Sequence, residues 1–326
     1  LTAFILRRLI QAAMVVACVS VVVFVGLYGI GDPALLLIDP DAPAAERERA
    51  TQMLGLDRPL WAQYLTFVTN ALQGDLGRSY VFNEPSIGLI LSRLPATLEL
   101  ALVALVLAVF VGIPLGLWAG LKGDGVADRA IVTGSILGFS LPNFWQGMIL
   151  VWVFAVILGW LPSNGRGELA TIPVLGIKTS LATVDGLRHL LLPAVNLALF
   201  KVALLIRLTR AGVREALTLD FVRFARAKGL TERRVIGVHV LKYIMVPVVT
   251  VTGLEFGQLI AFATVTETVF AWPGSGKLII DSIYKLDRPV VVAYLMVVVL
   301  LFVAINTLVD ILYSALDPRV RLTEKR

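Results

Sequence analysis

Four ionisable residues stand inside or beside long apolar runs of this sequence: Lys201, Glu255, Glu267 and Asp310. A charge at the centre of a bilayer costs about 2.5–3.5 kcal/mol on insertion scales, so such a group faces protein or water rather than lipid. Lys201 lies six residues before Arg207, about 9 Å along a helix axis, which is within snorkelling reach of a surface. The other reading places it on a polar path through the protein. Glu255 would then be its counter-charge, and Asn196 and Gln258 would add polar lining. For the two amides, helix–helix hydrogen bonding is an equal alternative. Glu267 and Asp310 lie nearer segment ends and suit structural bonds.

Other chemistry is thinly represented. His189 and His239 are too few and too far apart for a zinc site. The single cysteine, Cys18, excludes an intramolecular disulfide. Gly274-Ser275-Gly276-Lys277 invites comparison with a phosphate loop. That loop needs Gly five residues before Gly276 and Ser or Thr after Lys277, where Ala271 and Leu278 stand instead. No set of nucleophile, base and orienting group emerges, so no catalytic residue and no metal ligand is expected.

The elements that must position these residues are apolar. Of 326 residues, 58 % are hydrophobic and 16 % charged, whereas soluble domains carry about 25 % charge. That balance excludes a soluble enzyme and a disordered chain. The net charge of +6 comes without any nucleic-acid recognition motif, and nucleic acid is not expected as a partner. The run 9–30 carries no charge, and its 22 residues would span about 33 Å, the thickness of the hydrocarbon core. Gly31-Asp32-Pro33 follows it rather than a small-residue cleavage site, so it reads as a retained helix. Further spans are expected at about 100–121, 130–162, 190–206, 243–270 and 290–315. Gly112 and Pro114 mark a bend in the second, Gly138 and Pro142 a break in the third, and Trp160 its far interface.

Six spans place both termini on one side. The segment 207–242 carries nine Lys or Arg against three acids, and the tail from Asp317 four against two. By the positive-inside rule these segments are cytoplasmic. The segment 31–95 holds eight acids against five bases and falls outside. Within it, Asp39-Pro40 and Asp41-Ala42-Pro43 read as turns and 44–54 as a polar helix. An amphipathic helix is expected over 60–72, with Trp61, Tyr64, Leu65 and Val68 on one stripe.

The basic segment 207–242 is the most structured of the connections. Leu217, Phe221, Phe224 and Ala225 share a helical face, and Asp220, Arg223, Arg226 and Ala227 another. Gly229 suits a helix C-cap, and Thr231 can cap a following helix with Glu232 in its first turn. A short helix, a tight turn and a second helix running into the fifth span are expected. The pattern suits either a solvated helix pair attracted to anionic lipid or a docking element for a partner's groove. A DNA-binding helix-turn-helix fits poorly between two adjoining spans.

The run Asp220-Phe221-Val222-Arg223-Phe224-Ala225-Arg226-Ala227-Lys228-Gly229-Leu230 closely resembles the cytoplasmic signature loop of ABC importer permeases. It is most similar to the B-type subunits of the dipeptide/oligopeptide/nickel branch. Other pieces match in order: Leu56-Asp57-Arg58-Pro59-Leu60, Gly74-Asp75-Leu76-Gly77, Arg93-Leu94-Pro95-Ala96-Thr97-Leu98-Glu99-Leu100, Gly112-Ile113-Pro114-Leu115-Gly116, Leu192-Pro193-Ala194, Arg207-Leu208-Thr209-Arg210, Pro273-Gly274-Ser275-Gly276 and Leu316-Asp317-Pro318-Arg319-Val320-Arg321. The general importer motif is Glu-Ala-Ala, three residues, then Gly. Only its second Ala and its Gly stand here, as Ala225 and Gly229.

This resemblance implies an all-α polytopic membrane protein of type I importer permease architecture, with six spans and an enlarged periplasmic loop after the first. It implies a permease subunit of an ATP-driven peptide importer in the bacterial inner membrane. Leu217, Asp220, Phe221, Arg223, Phe224, Ala225, Arg226, Ala227, Lys228, Gly229 and Leu230 would form the coupling element. The implied partners are a second, similar permease, two ATPase subunits and a periplasmic or lipid-anchored binding protein, besides membrane lipid. ATP and Mg would be bound by the ATPases, with no cofactor on this chain. Loops 31–95, 163–188 and 271–289 are candidates to receive the binding protein. Nickel, glutathione or an opine are alternative substrates within the same architecture. A self-sufficient ion-coupled transporter is the alternative outside it, but no inverted repeat is evident.

Overall fold

The computed structural model describes residues 2–28, 43, 48–49, 52, 57–123, 125–172 and 176–316. Apart from Pro43, Glu48, Arg49 and Gln52, the expected features between 31 and 54 lie outside the described residues. So do the tail from Asp317 and the side chain of Asp310. The regular elements of the described chain are helices, except for one short hairpin. Among the described residues, four helices are long and apolar enough to cross a membrane: Ser86–Lys122, Val184–Thr218, Glu232–Val269 and Arg288–Val309. Two shorter apolar helices are Ile10–Gly26 and Asn143–Ile157.

Contacts divide the chain into two units. The first holds residues 1–95 and 274–304. Its helices are α1 (Thr2–Tyr28), α2 (Leu60–Leu72) and the start of α3 (Ser86–Lys122). Numbered by their place in the whole chain, Ser275–Tyr284 (α9) and most of Arg288–Leu316 (α10) also belong to the first unit. The amphipathic helix falls where its periodicity placed it, but it packs on a different face. Tyr64 and Phe67 meet Phe24 of α1, and the Tyr64 hydroxyl bonds Ser20 at 2.8 Å. Trp61 and Leu65 are exposed. Position 67 shares the inner face with 64 because residues three apart lie side by side on a helix. Ile90, Leu278, Ile279, Val290, Val291 and Tyr294 form this unit's main core. Buried Asp287 ties the chain before α3 to the start of α10, accepting from the Ser79 hydroxyl and from the Tyr80 N–H at 3.0 Å.

The second unit holds 96–273 and 305–326. It contains the rest of α3, then α4 (Val126–Ser140) and α5 (Asn143–Ile157). A hairpin of β1 (Ala170–Ile172) and β2 (Ile177–Thr179) pairs Ala170 with Thr179 and Ile172 with Ile177. Then come α6 (Val184–Thr218), α7 (Asp220–Ala227) and α8 (Glu232–Val269), whose stretch Val235–Val240 is π-helical.

The apolar run 130–162 breaks into two helices at Leu141 and Pro142, where Gly138 and Pro142 led a break to be expected. Pro142 has no N–H to offer the carbonyl of Gly138, four residues back. The side-chain amide of Gln146 donates to that carbonyl at 2.6 Å and to Leu141 O at 2.9 Å. The break is thus satisfied internally, as a low-dielectric setting demands.

Segment ends correct the sequence reading elsewhere. The second span's helix begins at Ser86, inside the segment read as a loop to residue 95. Helix α6 runs on to Thr218 and α8 resumes at Glu232, so most of 207–242 is helical. Charges mark where a helix leaves apolar surroundings, not where its hydrogen bonding stops. The loop 271–289 contains α9.

Gly112, Gly116 and Gly120 recur every fourth residue along α3 and lie against α6. A Cβ on Gly116 would stand 2.7 Å from Ile206 O and from Thr209 Cβ, and one on Gly120 2.7 Å from Val213 Cβ. Gly112, expected to bend the span, lies as close to Leu205 Cβ, at 2.8 Å. Small residues at this spacing let two helix backbones approach.

The polar segment after α5 is fastened rather than free. The buried carboxylate of Glu99 accepts from the Arg166 guanidinium and from the Ser180 N–H at 2.8 Å. Arg166 also donates to Lys178 O at 3.0 Å and lies over the Trp272 ring. The Trp272 indole N–H donates to Ala96 O at 3.0 Å.

Candidate functional site

Two places gather the residues singled out above, both in the second unit. The first is the turn between α6 and α8. Helix α7 is eight residues long, too short to stand alone, so tertiary contacts must hold it. Val222 and Ala225 do so: both are buried, Val222 completely, with Val213, Ala216, Val235, Val240 and Ile244. Leu217 and Leu230 pack on the edge of this cluster.

The expected apolar face is therefore split. Ala225 points inward with Val222, which sequence reasoning left out. Phe221 lies beside the Tyr243 ring, with centroids 5.7 Å apart. Phe224 is 62 % exposed, with the Lys228 ammonium 4.6 Å from its ring centre. In so short a helix, apolar residues at 221, 222, 224 and 225 spread over an arc of about 160°, wider than the one contact they share. Periodicity alone could not choose the buried pair, although the spacing 222/225 was available as a signal.

The turn after α7 is tightly specified. Gly229 has φ +76°, a region that costs a residue with a side chain. Its N–H donates to Arg226 O at 2.9 Å and that of Leu230 to Ala225 O at 3.3 Å, which is the Schellman pattern. Thr231 has the extended backbone of an N-cap, but its side chain makes no capping bond. Arg226, which the resemblance places in the coupling element, grips Glu232 with two hydrogen bonds, at 2.7 and 3.2 Å. That guanidinium holds the Glu232 carboxyl below its ordinary range, and the carboxylate raises Arg226 in return. Asp220 pairs with Arg223 at 3.5 Å, both well exposed. Ala227 and Lys228 are exposed. The result is a rigid, basic knob with an aromatic at its surface.

The second place is a cavity of about 110 Å³ lined by α5, α6 and α8 and by Leu141, the residue just after α4. Asn143, Gln146, Asn196 and Lys201 supply its polar lining, and Phe200, Phe262, Leu141, Leu197 and Leu259 its apolar walls. Lys201 is 3 % exposed and does not snorkel. Its ammonium bonds the Glu255 carboxylate and reaches Gln258 Oε1 at 3.3 Å. It also lies 5.0 Å from the Phe200 ring centre and 5.9 Å from that of Phe262, distances suited to cation–π attraction. Asn196 donates to Asn143 Oδ1 at 2.5 Å and Thr266 Oγ1 at 3.1 Å. Of the four residues expected to share a path, Asn196 and Lys201 line this cavity, while Glu255 and Gln258 hold Lys201 beside it. Sequence reasoning missed Asn143 and Gln146. Their signal was their place immediately after Pro142, where a broken helix needs new hydrogen-bond partners. Among the described residues no group of three or more His, Cys, Asp or Glu could hold a metal ion.

Comparison with known proteins agrees with this arrangement of helices. Residues 112–322 match the model of the binding-protein-dependent transport system inner membrane component, and residues 1–101 match its N-terminal membrane component. The chain is 42 % identical over 306 residues to the di/tripeptide transport system permease protein DppB of Pseudomonas aeruginosa, covering 89 % of this chain and 90 % of that one. It is 38 % identical over 322 residues to the oligopeptide transport system permease protein AppB of Bacillus subtilis, covering 98 % and 99 %. It is 39 % identical over 319 residues to the glutathione transport system permease protein GsiC of Escherichia coli O6:H1, covering 98 % of each. The fold is similar to a chain of the inward-facing MetNI methionine ABC transporter, with TM-score 0.56 at 17 % identity, over 70 % of this chain and 96 % of that one. The chain belongs to the inner membrane components of binding-protein-dependent transport systems, the permeases of ABC importers.

Proposed function

We propose that the chain is one of two permease subunits of an ATP-driven importer of short peptides. The observation that carries this is α7: a short helix locked between two long apolar helices, with Phe224 exposed on a basic surface. A partner's groove lined by apolar and acidic side chains would accept it. The names of the relatives support peptides as the substrate class. The relative named for glutathione transport supports a second reading, glutathione, within the same architecture.

In this reading both termini and the turn around α7 are cytoplasmic, the segment 31–95 is periplasmic, and six helical spans cross the inner membrane. Closure of two ATPase subunits draws the α7 knobs of the two permeases together, and the packed helices above move as rigid bodies. The cavity around Asn196 and Lys201 lies on the path. A binding protein delivers substrate from outside. ATP and Mg belong to the ATPases. The pairing of Lys277 with Asp281 on its own helix, at 2.8 Å, supports reading that glycine-containing segment as structural.

The test is affinity purification of the tagged chain in mild detergent with its genomic neighbours expressed, followed by mass identification of every co-eluting polypeptide. A second permease and ATPase subunits are expected, as is peptide uptake that needs ATP. Isolation alone, with uptake driven by an ion gradient in liposomes lacking ATP, would overturn the proposal.

A further inference from the structure

An apolar groove of about 250 Å³ opens between α3, α4 and α6. Ala130, Gly134 and Gly138 of α4, Val202 and Ile206 of α6 and Leu115 of α3 line it. A Cβ built on Gly134 or Gly138 would meet nothing within 4 Å, so these glycines leave room that no neighbour fills. From Ala130 to Gly138 the groove follows α4 for about 12 Å, close to the depth of one leaflet's hydrocarbon. Its lone hydroxyl, on Ser135, donates to Val132 O at 2.7 Å.

Arginines flank the lining residues at one end of the groove. Arg129 directly precedes Ala130, Arg207 directly follows Ile206, and Arg210 and Arg214 lie one and two turns further along α6. Asp128 receives Arg210 at 2.5 and 2.7 Å and Arg214 at 3.0 Å, which orients both. The N-terminus of α4, at Val126, adds its positive dipole end there. An apolar furrow one leaflet deep with a positive rim is complementary to an amphiphile carrying a negative head.

We propose that this groove is a binding site for an anionic phospholipid, one acyl chain lying along Gly134 and Gly138 and the phosphate held by the arginine rim at Arg129, Arg207 and Arg210. In the proposed topology the rim lies at the cytoplasmic leaflet, where basic pockets between helices meet anionic headgroups. The site is distinct from the Lys201 cavity and from the α7 knob, so it goes beyond the transport reading.

The test is native mass spectrometry of the tagged chain with its co-eluting subunits, titrated with dioleoyl phosphatidylglycerol or with dioleoyl phosphatidylcholine. Retention of phosphatidylglycerol about tenfold or more above phosphatidylcholine is expected. The double variant Arg129→Gln, Arg207→Gln is expected to remove most of that preference, leaving the two lipids retained to within about twofold of each other. Gly134→Leu, which fills open space, is expected to reduce retention of both lipids while every subunit still co-elutes; Gly138→Leu repeats that test at a second position. Equal retention of both lipids by the unaltered chain would overturn the proposal, as would a preference that survives the double variant. Loss of a co-eluting permease in Gly134→Leu would also overturn it and mark the groove as a seat for a partner's helix.

Discussion

Arg226 and Glu232 meet across the turn that ends α7, Nε to Oε1 at 2.7 Å and Nη2 to Oε2 at 3.2 Å. The two residues belong to different helices, and between them lies the left-handed residue Gly229. The pair closes the turn from outside while Val222 and Ala225 hold it from inside. Both side chains are substantially exposed, so the pair contributes little to global stability. Its effect is local: it fixes the angle at which α7 meets α8.

Glu232→Gln should therefore leave folding intact and loosen the turn. Amide exchange at Gly229 and Leu230, whose N–H groups bond Arg226 and Ala225, is the measurement. Several-fold faster exchange is expected, with an unchanged melting temperature. The pH dependence has a definite sign. The folded-state carboxyl titrates below its ordinary 4.5 because Arg226 donates to it. The pair is fully present above that ordinary value and is lost as pH falls through the lowered one. In the unaltered protein, protection of these amides relative to their intrinsic exchange rate should fall only in acid; in the variant it should be low already at neutral pH.

Gly229 tests backbone against space. No atom lies within 4 Å of a Cβ placed there, so any cost comes from its positive φ. Gly229→Ala should destabilise the turn by about 1–2 kcal/mol, Gly229→Asn should be milder, and Gly229→Val worse because branching tightens the restriction. In reconstituted complexes Gly229→Asp is expected to separate ATP hydrolysis from peptide uptake while membrane insertion persists. Coupled uptake at the normal rate in that variant would count against the docking role proposed for α7.

Much of this was legible, for identifiable reasons. Gly229 stood out because few residues other than glycine accept its conformation, and Lys201 with Glu255 because charges in apolar runs need partners. The ends of α6 and α8 were not legible, since a helix can pass from lipid to water without a break in its bonding. The inward turn of Val222 was not either, because it depends on Val235 and Ile244 from another helix. Gly112 looked like part of a bend because the spacing of the α3 glycines makes sense only against α6, and Glu99 gave no hint of Arg166, a partner 67 residues away.

Lys201 and Glu255 permit a test that separates structure from transport. Lys201→Met alone leaves the carboxylate without its cation, and Glu255→Leu alone leaves a buried ammonium. Breaking a buried pair from one side costs roughly 3–5 kcal/mol. The double variant removes both charges and should recover most of the lost thermal stability. If the pair serves only packing, uptake should recover as well. The cavity beside Lys201 argues for the opposite result: a stable double variant whose uptake stays at least tenfold below normal. Thermal unfolding and peptide uptake measured on the same preparations decide it.

Gly116 makes the sharpest claim about packing. Its absent side chain would stand 2.7 Å from a backbone carbonyl, that of Ile206, and equally close to Thr209 Cβ. A flexible side chain could move aside; a helix backbone cannot without parting the two helices. Gly116→Ala should thus destabilise the second unit by about 1–3 kcal/mol. Gly134→Ala, in open space on α4, should be neutral or slightly stabilising because alanine favours helix over the unfolded chain. Thermal melts of the two variants in the same detergent supply the comparison. Equal melting temperatures would mean that α3 and α6 do not meet along the glycine line. A selective loss in Gly116→Ala, deepened in Gly116→Leu, is the expected result, because each added carbon forces the same two backbones further apart.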